Sequence, residues 1–80
     1  MPRLPQVSGR ALVRLLASLG YEVIRQRGSH IRVRKTSALG EHNLTVPDHG
    51  ALAKGTLNDI PTRVSLWNNI PKENLVERLR

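Results

Sequence analysis

Residues 21–35 read YEVIRQRGSHIRVRK, and this stretch predicts a β-hairpin. Its first part is rich in β-forming residues. Gly28-Ser29 is a two-residue turn signal, and a glycine at the first position suits a type II′ turn. From residue 30 onward the side chains alternate between two faces, with His30, Arg32 and Arg34 on one and Ile31 and Val33 on the other. The sequence therefore predicts two antiparallel strands, over residues 21–27 and 30–35.

The two-residue turn also predicts which residues face each other across the hairpin. It pairs Arg27 with His30 and Arg25 with Arg32, and then Ile24 with Val33 and Glu22 with Lys35. Because paired residues share a face, one face becomes basic and the other places Ile24 in the core. An unbroken register would also put Tyr21 and Val23 on the basic face, so we expect a β-bulge near the start of the first strand.

On the N-terminal side of the hairpin, the pattern predicts an amphipathic helix over residues 9–19. Ser8 is a suitable N-cap for this helix. The leucines at 12, 15, 16 and 19 follow the i, i+3, i+4, i+7 spacing of one helical face. Gly20 suits the C′ position at which the helix ends.

On the C-terminal side, the pattern predicts a loop over 36–40, a third strand over 41–46 and further helices. Thr56 and Asp59 form a weak capping box for a short turn at 56–60. Pro61 lacks an N–H, so we expect it to begin a new helix over 61–68, and Pro71 to begin the last helix over 71–79. The predicted fold is α+β, a single domain over residues 1–80 in α-β-β-β-α order, with a three-stranded antiparallel sheet and helices on one face.

The composition favours a polyanion as the partner. The chain has 80 residues and a formal net charge of +7. Residues 1–35 contain eight basic residues and one acidic residue, whereas residues 36–80 contain five of each. A one-sided positive field of this kind attracts nucleic acid. The absence of cysteine excludes a disulfide framework and a thiolate zinc site, and suits the cytoplasm, where we expect the protein. No apolar run is long enough to span a membrane.

His30 is the strongest candidate for chemistry. A ribonuclease needs a group that exchanges a proton near pH 7, and cations that stabilise the charge developing on the phosphate. His30 supplies the first. The residues predicted to bind RNA or phosphate supply the second; they are Arg25, Arg27, Ser29, Arg32 and Arg34. A surface histidine in a solvated basic hairpin is the alternative interpretation.

The other two histidines are weaker candidates. His42 starts the third strand on the core-side phase, and His49 lies in the loop that follows that strand. A metal site needs about three or four ligands in compatible positions. His30, His42 and His49 would converge only by tertiary accident, so we predict no metal and no cofactor.

Four stretches of the chain resemble HicA-type (YcfA-like) toxins in order and spacing. They are Gly20-Tyr21-Glu22, residues 25–30, Val46-Pro47-Asp48-His49 and residues 54–60. The resemblance implies a double-stranded-RNA-binding-domain-like fold, mRNA interferase activity on single-stranded RNA, and a HicB-type antitoxin as protein partner. It also implies that His30 is the catalytic residue. The chain departs from the family pattern at Ile31, where a second histidine is common, and at Pro61, where the family's helix continues.

Three classes of function remain open from the sequence. The first is an endoribonuclease toxin, in which His30 acts either as general base on a ribose 2′-hydroxyl or as general acid on the leaving oxygen. The second is a non-catalytic RNA-binding module on the same scaffold. The third is a protein-interaction domain whose basic face docks an acidic partner. RNA cleavage separates the first from the others, and salt-dependent RNA binding separates the second from the third.

Overall fold

The computed structural model describes residues 6–80, which fold into helices and one sheet in the order α1 (Gly9–Ser18), β1 (Glu22–Arg27), β2 (His30–Ser37), β3 (Gly40–Pro47), α2 (Lys54–Asn68) and α3 (Lys72–Arg78). The three strands form an antiparallel sheet in the order β1-β2-β3. The predicted α+β class and α-β-β-β-α order are confirmed, with α3 following α2 as the last helix.

The first helix forms as its capping signals predict. The Ser8 hydroxyl accepts a hydrogen bond from the backbone N–H of Ala11 at 3.1 Å, which satisfies one of the free donors at the start of the helix. Gly20 has a φ of +101°, a conformation that residues with a β-carbon rarely adopt, and the helix has ended by this point. The leucine face points inward, with Leu12, Leu15 and Leu16 buried.

The hairpin turn and the register next to it are confirmed. Gly28 has a φ of +54° and Ser29 does not have a positive φ, as in a type II′ turn. Arg27 pairs with His30, and Arg25 pairs with Arg32. The expected β-bulge is also present, because the register shifts between Val23 and Arg25.

The bulge makes two of the predicted pairs wrong. Ile24 is the extra residue, so Val23 pairs with Val33 and Glu22 pairs with Arg34. Ile24 is consequently 40% exposed and does not belong to the core in which the unbroken register placed it. One extra residue reverses the side-chain phase, and Tyr21 is therefore buried on the core side, only 3% exposed.

The predicted loop over residues 36–40 is shorter than expected. β2 continues to Ser37, which pairs with Gly40, and only Ala38-Leu39 form the turn. Gly40 has a φ of +116° directly after this turn. The second hairpin is therefore as tight as the first, and β3 includes two more residues than the pattern predicted.

The predicted break at Pro61 is wrong. α2 is one continuous helix from Lys54 to Asn68 with Pro61 inside it, and Ala53 rather than Thr56 is its N-cap. Three apolar side chains of α2 are buried on the core side: Leu57, Ile60 and Val64. Burying such side chains contributes about 1.5–3 kcal/mol each, whereas an internal proline costs about 3 kcal/mol. Burial therefore outweighs the proline, which is itself fully buried.

The core lies between the helices and one face of the sheet. The helices contribute Leu12, Leu16, Leu57, Val64 and Leu75, and the sheet contributes Ile31, Val33, Leu44 and Val46. Strand residues alternate between faces, and among residues 6–80 the side chains of β2 and β3 on the opposite face are exposed or half-buried, so this face is open to solvent in the described chain. β1 lies at an edge of the sheet and all of its residues are exposed. Within residues 6–80, none of the helices has the length and apolar character needed to cross a membrane.

Candidate nucleic-acid site

The open face of the sheet carries a basic groove around His30. The groove has a volume of about 210 Å³ and is lined by Arg25, Arg27, His30, Arg32 and Thr45. β1 and β2 place these side chains together because the cross-strand pairs Arg27–His30 and Arg25–Arg32 share one face of the hairpin. We refer to it as the His30 groove.

Thr45 is a groove residue that the sequence did not single out. It pairs with Arg32 across β2 and β3, and its hydroxyl accepts a hydrogen bond from the Arg32 guanidinium at 3.2 Å. This bond fixes one cation of the groove against the neighbouring strand. The sequence would have placed Thr45 beside Arg32 only if the register of β3 against β2 had been known, and this register depends on the length of the second turn.

The three arginines of the His30 groove are not neutralised within the described chain. Among residues 6–80, no carboxylate forms an ion pair with Arg25, Arg27 or Arg32. Like charges that face each other in a sheet are destabilising. An anion bound in the groove would relieve this repulsion, so the site is chemically suited to a phosphate.

Arg34 and Ser29 lie outside the groove that the other predicted residues form. Arg34 is two residues beyond Arg32 on β2 and forms an ion pair with Glu41 at 3.4 Å. Ser29 is exposed in the turn, and its backbone carbonyl accepts a hydrogen bond from the N–H of Asp48 at 2.6 Å. The structure thus assigns Ser29 a backbone contact that holds the turn beside His30.

Asp48 is the centre of the contacts that hold the His30 turn, a role that its sequence context did not indicate. Its carboxylate accepts hydrogen bonds from the side chains of Arg10 at 3.0 Å and Gln26 at 3.2 Å. Its backbone N–H binds Ser29 as described above. Asp48 therefore connects α1, β1 and the turn, and these contacts fix the position of His30 relative to the groove.

The loop that carries Asp48 is also attached directly to α1. Gly9 donates its backbone N–H to the carbonyl of His49 at 2.8 Å, and Leu52 donates to the carbonyl of Val7 at 2.7 Å. Gly9 is buried, and a β-carbon on it would overlap the carbonyl oxygen of Pro47. Only glycine permits the helix to approach the loop this closely.

His42 lies on the opposite face of the sheet from His30, in a small polar cluster. Its ring stacks on Trp67 with centroids 5.0 Å apart, and its Nδ1 is 2.5 Å from the Tyr21 hydroxyl. Because that hydroxyl accepts a hydrogen bond from Asn68 at 3.0 Å, its proton is free to be donated to His42. The predicted core-side position of His42 is confirmed.

Burial sets the protonation of this cluster. It lowers the pKa of His42, and the nearby cations Arg63 and Lys35 lower it further. Burial also raises the pKa of the Tyr21 hydroxyl, against the smaller opposite effect of the Asn68 hydrogen bond. The surroundings therefore favour the neutral form of His42, away from the basic face.

The three histidines do not come together. His49 is exposed in the loop after β3, and its backbone carbonyl accepts the hydrogen bond from Gly9. Across the described part of the chain, no three histidine or acidic side chains are grouped so that they could hold a metal ion. The chemistry of the open face therefore depends on His30 and the arginines around it.

The comparisons with known proteins point to a family. Residues 9–66 match a family model described as the HicA toxin of bacterial toxin-antitoxin. This match covers more than half of the chain, including both hairpins, the Asp48 loop and most of α2. No curated protein and no solved structure matches the chain.

Proposed function

Because the chain belongs to the HicA family and is a toxin of the toxin–antitoxin type, we propose that it is an endoribonuclease that cleaves mRNA and uses His30 as its catalytic residue. A HicB-type protein is its proposed antitoxin. The observation that carries this proposal is the His30 groove, in which a histidine is exposed beside three arginines with no ion-pair partner among residues 6–80.

The proposed reaction is displacement at phosphorus by the neighbouring ribose hydroxyl. The 2′-oxygen loses its proton and attacks the phosphorus, and the bond from phosphorus to the 5′-oxygen of the next nucleotide breaks as that oxygen gains a proton. His30 either accepts the first proton or donates the second. Arg25, Arg27 and Arg32 bind the phosphate and stabilise the negative charge that builds up on its oxygens. The proposed mechanism includes no metal ion.

Single-stranded RNA is the proposed substrate form. Within residues 6–80, the side chains that line the His30 groove are exposed or half-buried, so a flexible strand reaches them from solvent. Cations positioned along the strands suit a phosphate backbone, which supplies most of the sequence-independent affinity for nucleic acid. The 2′-hydroxyl that the reaction needs also distinguishes RNA from DNA.

Cleavage of a long single-stranded RNA by the purified protein in EDTA tests the catalytic proposal. We expect His30→Ala to reduce the cleavage rate by roughly 10²- to 10⁴-fold, as is usual when one positioned acid or base is removed. His49→Ala is the matched control, since its side chain is exposed and outside the groove. RNA binding by His30→Ala should remain close to that of the wild type.

Two results would contradict this proposal. Cleavage at the wild-type rate by His30→Ala, after contaminating nuclease has been excluded, would show that His30 is not catalytic. RNA binding without cleavage by the wild-type protein would instead favour an RNA-binding module.

The antitoxin proposal follows from the exposure of the same face. A partner that covers the strip from Arg25 to Arg34 with acidic residues would block the groove and neutralise its charge. Expression of the chain alone should slow growth, and co-expression with the product of the neighbouring reading frame should restore it. Absence of toxicity together with absence of a complex on co-purification would count against this proposal.

A further inference from the structure

A second groove lies beside the His30 groove on the open face of the sheet. It has a volume of about 390 Å³ and is lined by Ile24, Arg25, Arg32, Arg34, Glu41 and Asn43. Arg25 and Arg32 line both grooves, so the two are adjacent. Along β2 and β3 the second groove extends from Arg32 to the Arg34–Asn43 pair, which lies two residues, or roughly 7 Å, beyond the Arg32–Thr45 pair.

The chemistry of this second groove differs from that of a phosphate site. Glu41 brings a carboxylate to the groove and already pairs with Arg34 at 3.4 Å. At the Arg34 end of the groove, a phosphate would be repelled by that carboxylate and would have to compete with it for Arg34. Arg25 and Arg32 lie at the end shared with the His30 groove, where they suit the neighbouring phosphate. The groove also contains the side-chain amide of Asn43, which offers both a hydrogen-bond donor and an acceptor. A neutral ligand with mixed donors and acceptors suits these groups better than an anion does.

The β-bulge supplies an apolar surface in the same place. Because Ile24 is the extra residue of β1, its side chain leaves the core side and lines this groove, 40% exposed. The two aromatic side chains of the protein, Tyr21 and Trp67, belong to the cluster on the other face of the sheet. Ile24 is thus an apolar platform against which a flat ring can pack.

Arg34 carries a donor that the described residues leave unused. Its Nε atom is buried and has no hydrogen-bond partner among residues 6–80. Its NH1 atom donates to the Glu41 carboxylate at 3.4 Å, which ties the guanidinium to that side chain. The guanidinium of Arg34, the carboxylate of Glu41 and the amide of Asn43 line the same groove and together form a set of donors and acceptors.

We propose that this second groove, lined by Ile24, Arg34, Glu41 and Asn43, binds the nucleobase adjacent to the scissile phosphate and determines the cleavage sequence. The proposal rests on the endoribonuclease function proposed above. A nucleobase has a flat apolar face for Ile24 and an edge of donors and acceptors for the three polar side chains. The volume lies within the range of about 300–1,000 Å³ that is typical of small-molecule sites.

Mapping the cleavage sites on a single-stranded RNA of random sequence tests this inference. The wild-type protein should prefer one base over another next to the cut by roughly 5- to 100-fold, the range expected for a base-edge contact. Asn43→Ala and Glu41→Gln should reduce that preference severalfold. They should still cleave, because neither residue lines the His30 groove. Asn74→Ala and Glu73→Gln, at exposed positions of α3, are the matched controls and should keep the wild-type preference.

Binding of short oligoribonucleotides made of A, C, G or U alone separates this inference from the catalytic proposal. A base preference in binding that is lost in Asn43→Ala would support the subsite even if the protein did not cleave RNA, and only the catalytic proposal would then fail. An unchanged cleavage preference in both groove variants, with normal thermal melts, would overturn the subsite while leaving the role of His30 intact. Equal binding of all four oligonucleotides by the wild type would overturn it as well.

Discussion

Gly9→Ala should destabilise the protein strongly, although alanine normally favours a helix. A β-carbon at this position would overlap the carbonyl oxygen of Pro47, and it would lie 2.9 Å from the carbonyl carbon of Pro47 and 3.2 Å from Cα of Asp48. All three atoms belong to the backbone, so no side chain can rotate to make room. Either α1 or the loop after β3 has to move.

The expected loss in the free energy of unfolding follows from the packing and the hydrogen bonds that such a movement disrupts. Overpacking of this kind costs about 1–3 kcal/mol. Loss of the hydrogen bonds from Gly9 to His49 and from Leu52 to Val7 adds about 1 kcal/mol each. The helix propensity of alanine returns at most about 1 kcal/mol. We therefore expect a net loss of about 3 kcal/mol, from a total stability of roughly 4–12 kcal/mol for a chain of 80 residues.

Gly55→Ala is the matched control, because Gly55 also lies in the first turn of a helix. A β-carbon there would meet nothing within 4 Å. We expect this variant to gain about 0.5–1 kcal/mol, since alanine restricts the unfolded chain more than glycine does.

Thermal and urea unfolding of the two variants measure these effects. For a domain of this size, 1 kcal/mol corresponds to a Tm shift of about 4–8 °C. Gly9→Ala should therefore melt at least about 12 °C below the wild type, and Gly55→Ala a few degrees above it. A Gly9→Ala variant as stable as the wild type would refute the close approach of α1 to the Asp48 loop.

Three further predictions concern the groove, the loop and the buried cluster. The logarithm of the RNA binding constant should fall with the logarithm of the salt concentration with a slope of about −2, because three arginines line the His30 groove and each phosphate contact contributes about −0.7. Arg27→Gln should make this slope shallower by about 0.7, and an unchanged slope would show that Arg27 does not contact RNA. Asp48→Ala should lower kcat for RNA cleavage by up to about tenfold with little change in KM, because the carboxylate is expected to position the turn without touching RNA. A higher KM with an unchanged kcat would instead place Asp48 in RNA binding. Folding lowers the pKa of His42, so below about pH 6.5 the unfolded chain binds more protons than the folded chain does. The stability that His42 contributes is complete above this pH and should decrease as the pH falls. His42→Phe should therefore flatten the dependence of Tm on pH between 7 and 5, and equal dependence in both proteins would exclude His42 as its source.

Elements that depend on local signals were predictable from the sequence. The Ser8 cap, the end of α1 at Gly20 and the turn at Gly28-Ser29 each depend on a few adjacent residues. The pairing of Arg25 and Arg27 with β2 follows from the length of that turn. The sequence alone therefore places four side chains of the His30 groove together: Arg25, Arg27, His30 and Arg32.

Elements that depend on tertiary contacts were not predictable in the same way. The sequence indicated that β1 needs a bulge, but its position at Ile24 depends on how Tyr21 packs against the helices. The proline in α2 was misinterpreted because its local cost is visible in the sequence, whereas the burial that offsets it is not. Asp48 was missed because its side-chain partners, Arg10 and Gln26, lie 38 and 22 residues away in the chain.

The edge position of β1 gives its arginines a second effect, on the solubility of the free protein. An edge strand presents backbone donors and acceptors to which another copy can add, and such sheet extension leads to aggregation. In β1, Arg25 and Arg27 repel an approaching copy, and the bulge at Ile24 interrupts the regular edge that would pair with it. Replacing these arginines with neutral residues therefore removes a barrier to self-association along with the charge that is proposed to bind phosphate. The dispersity of such variants has to be measured before a loss of activity is assigned to RNA binding.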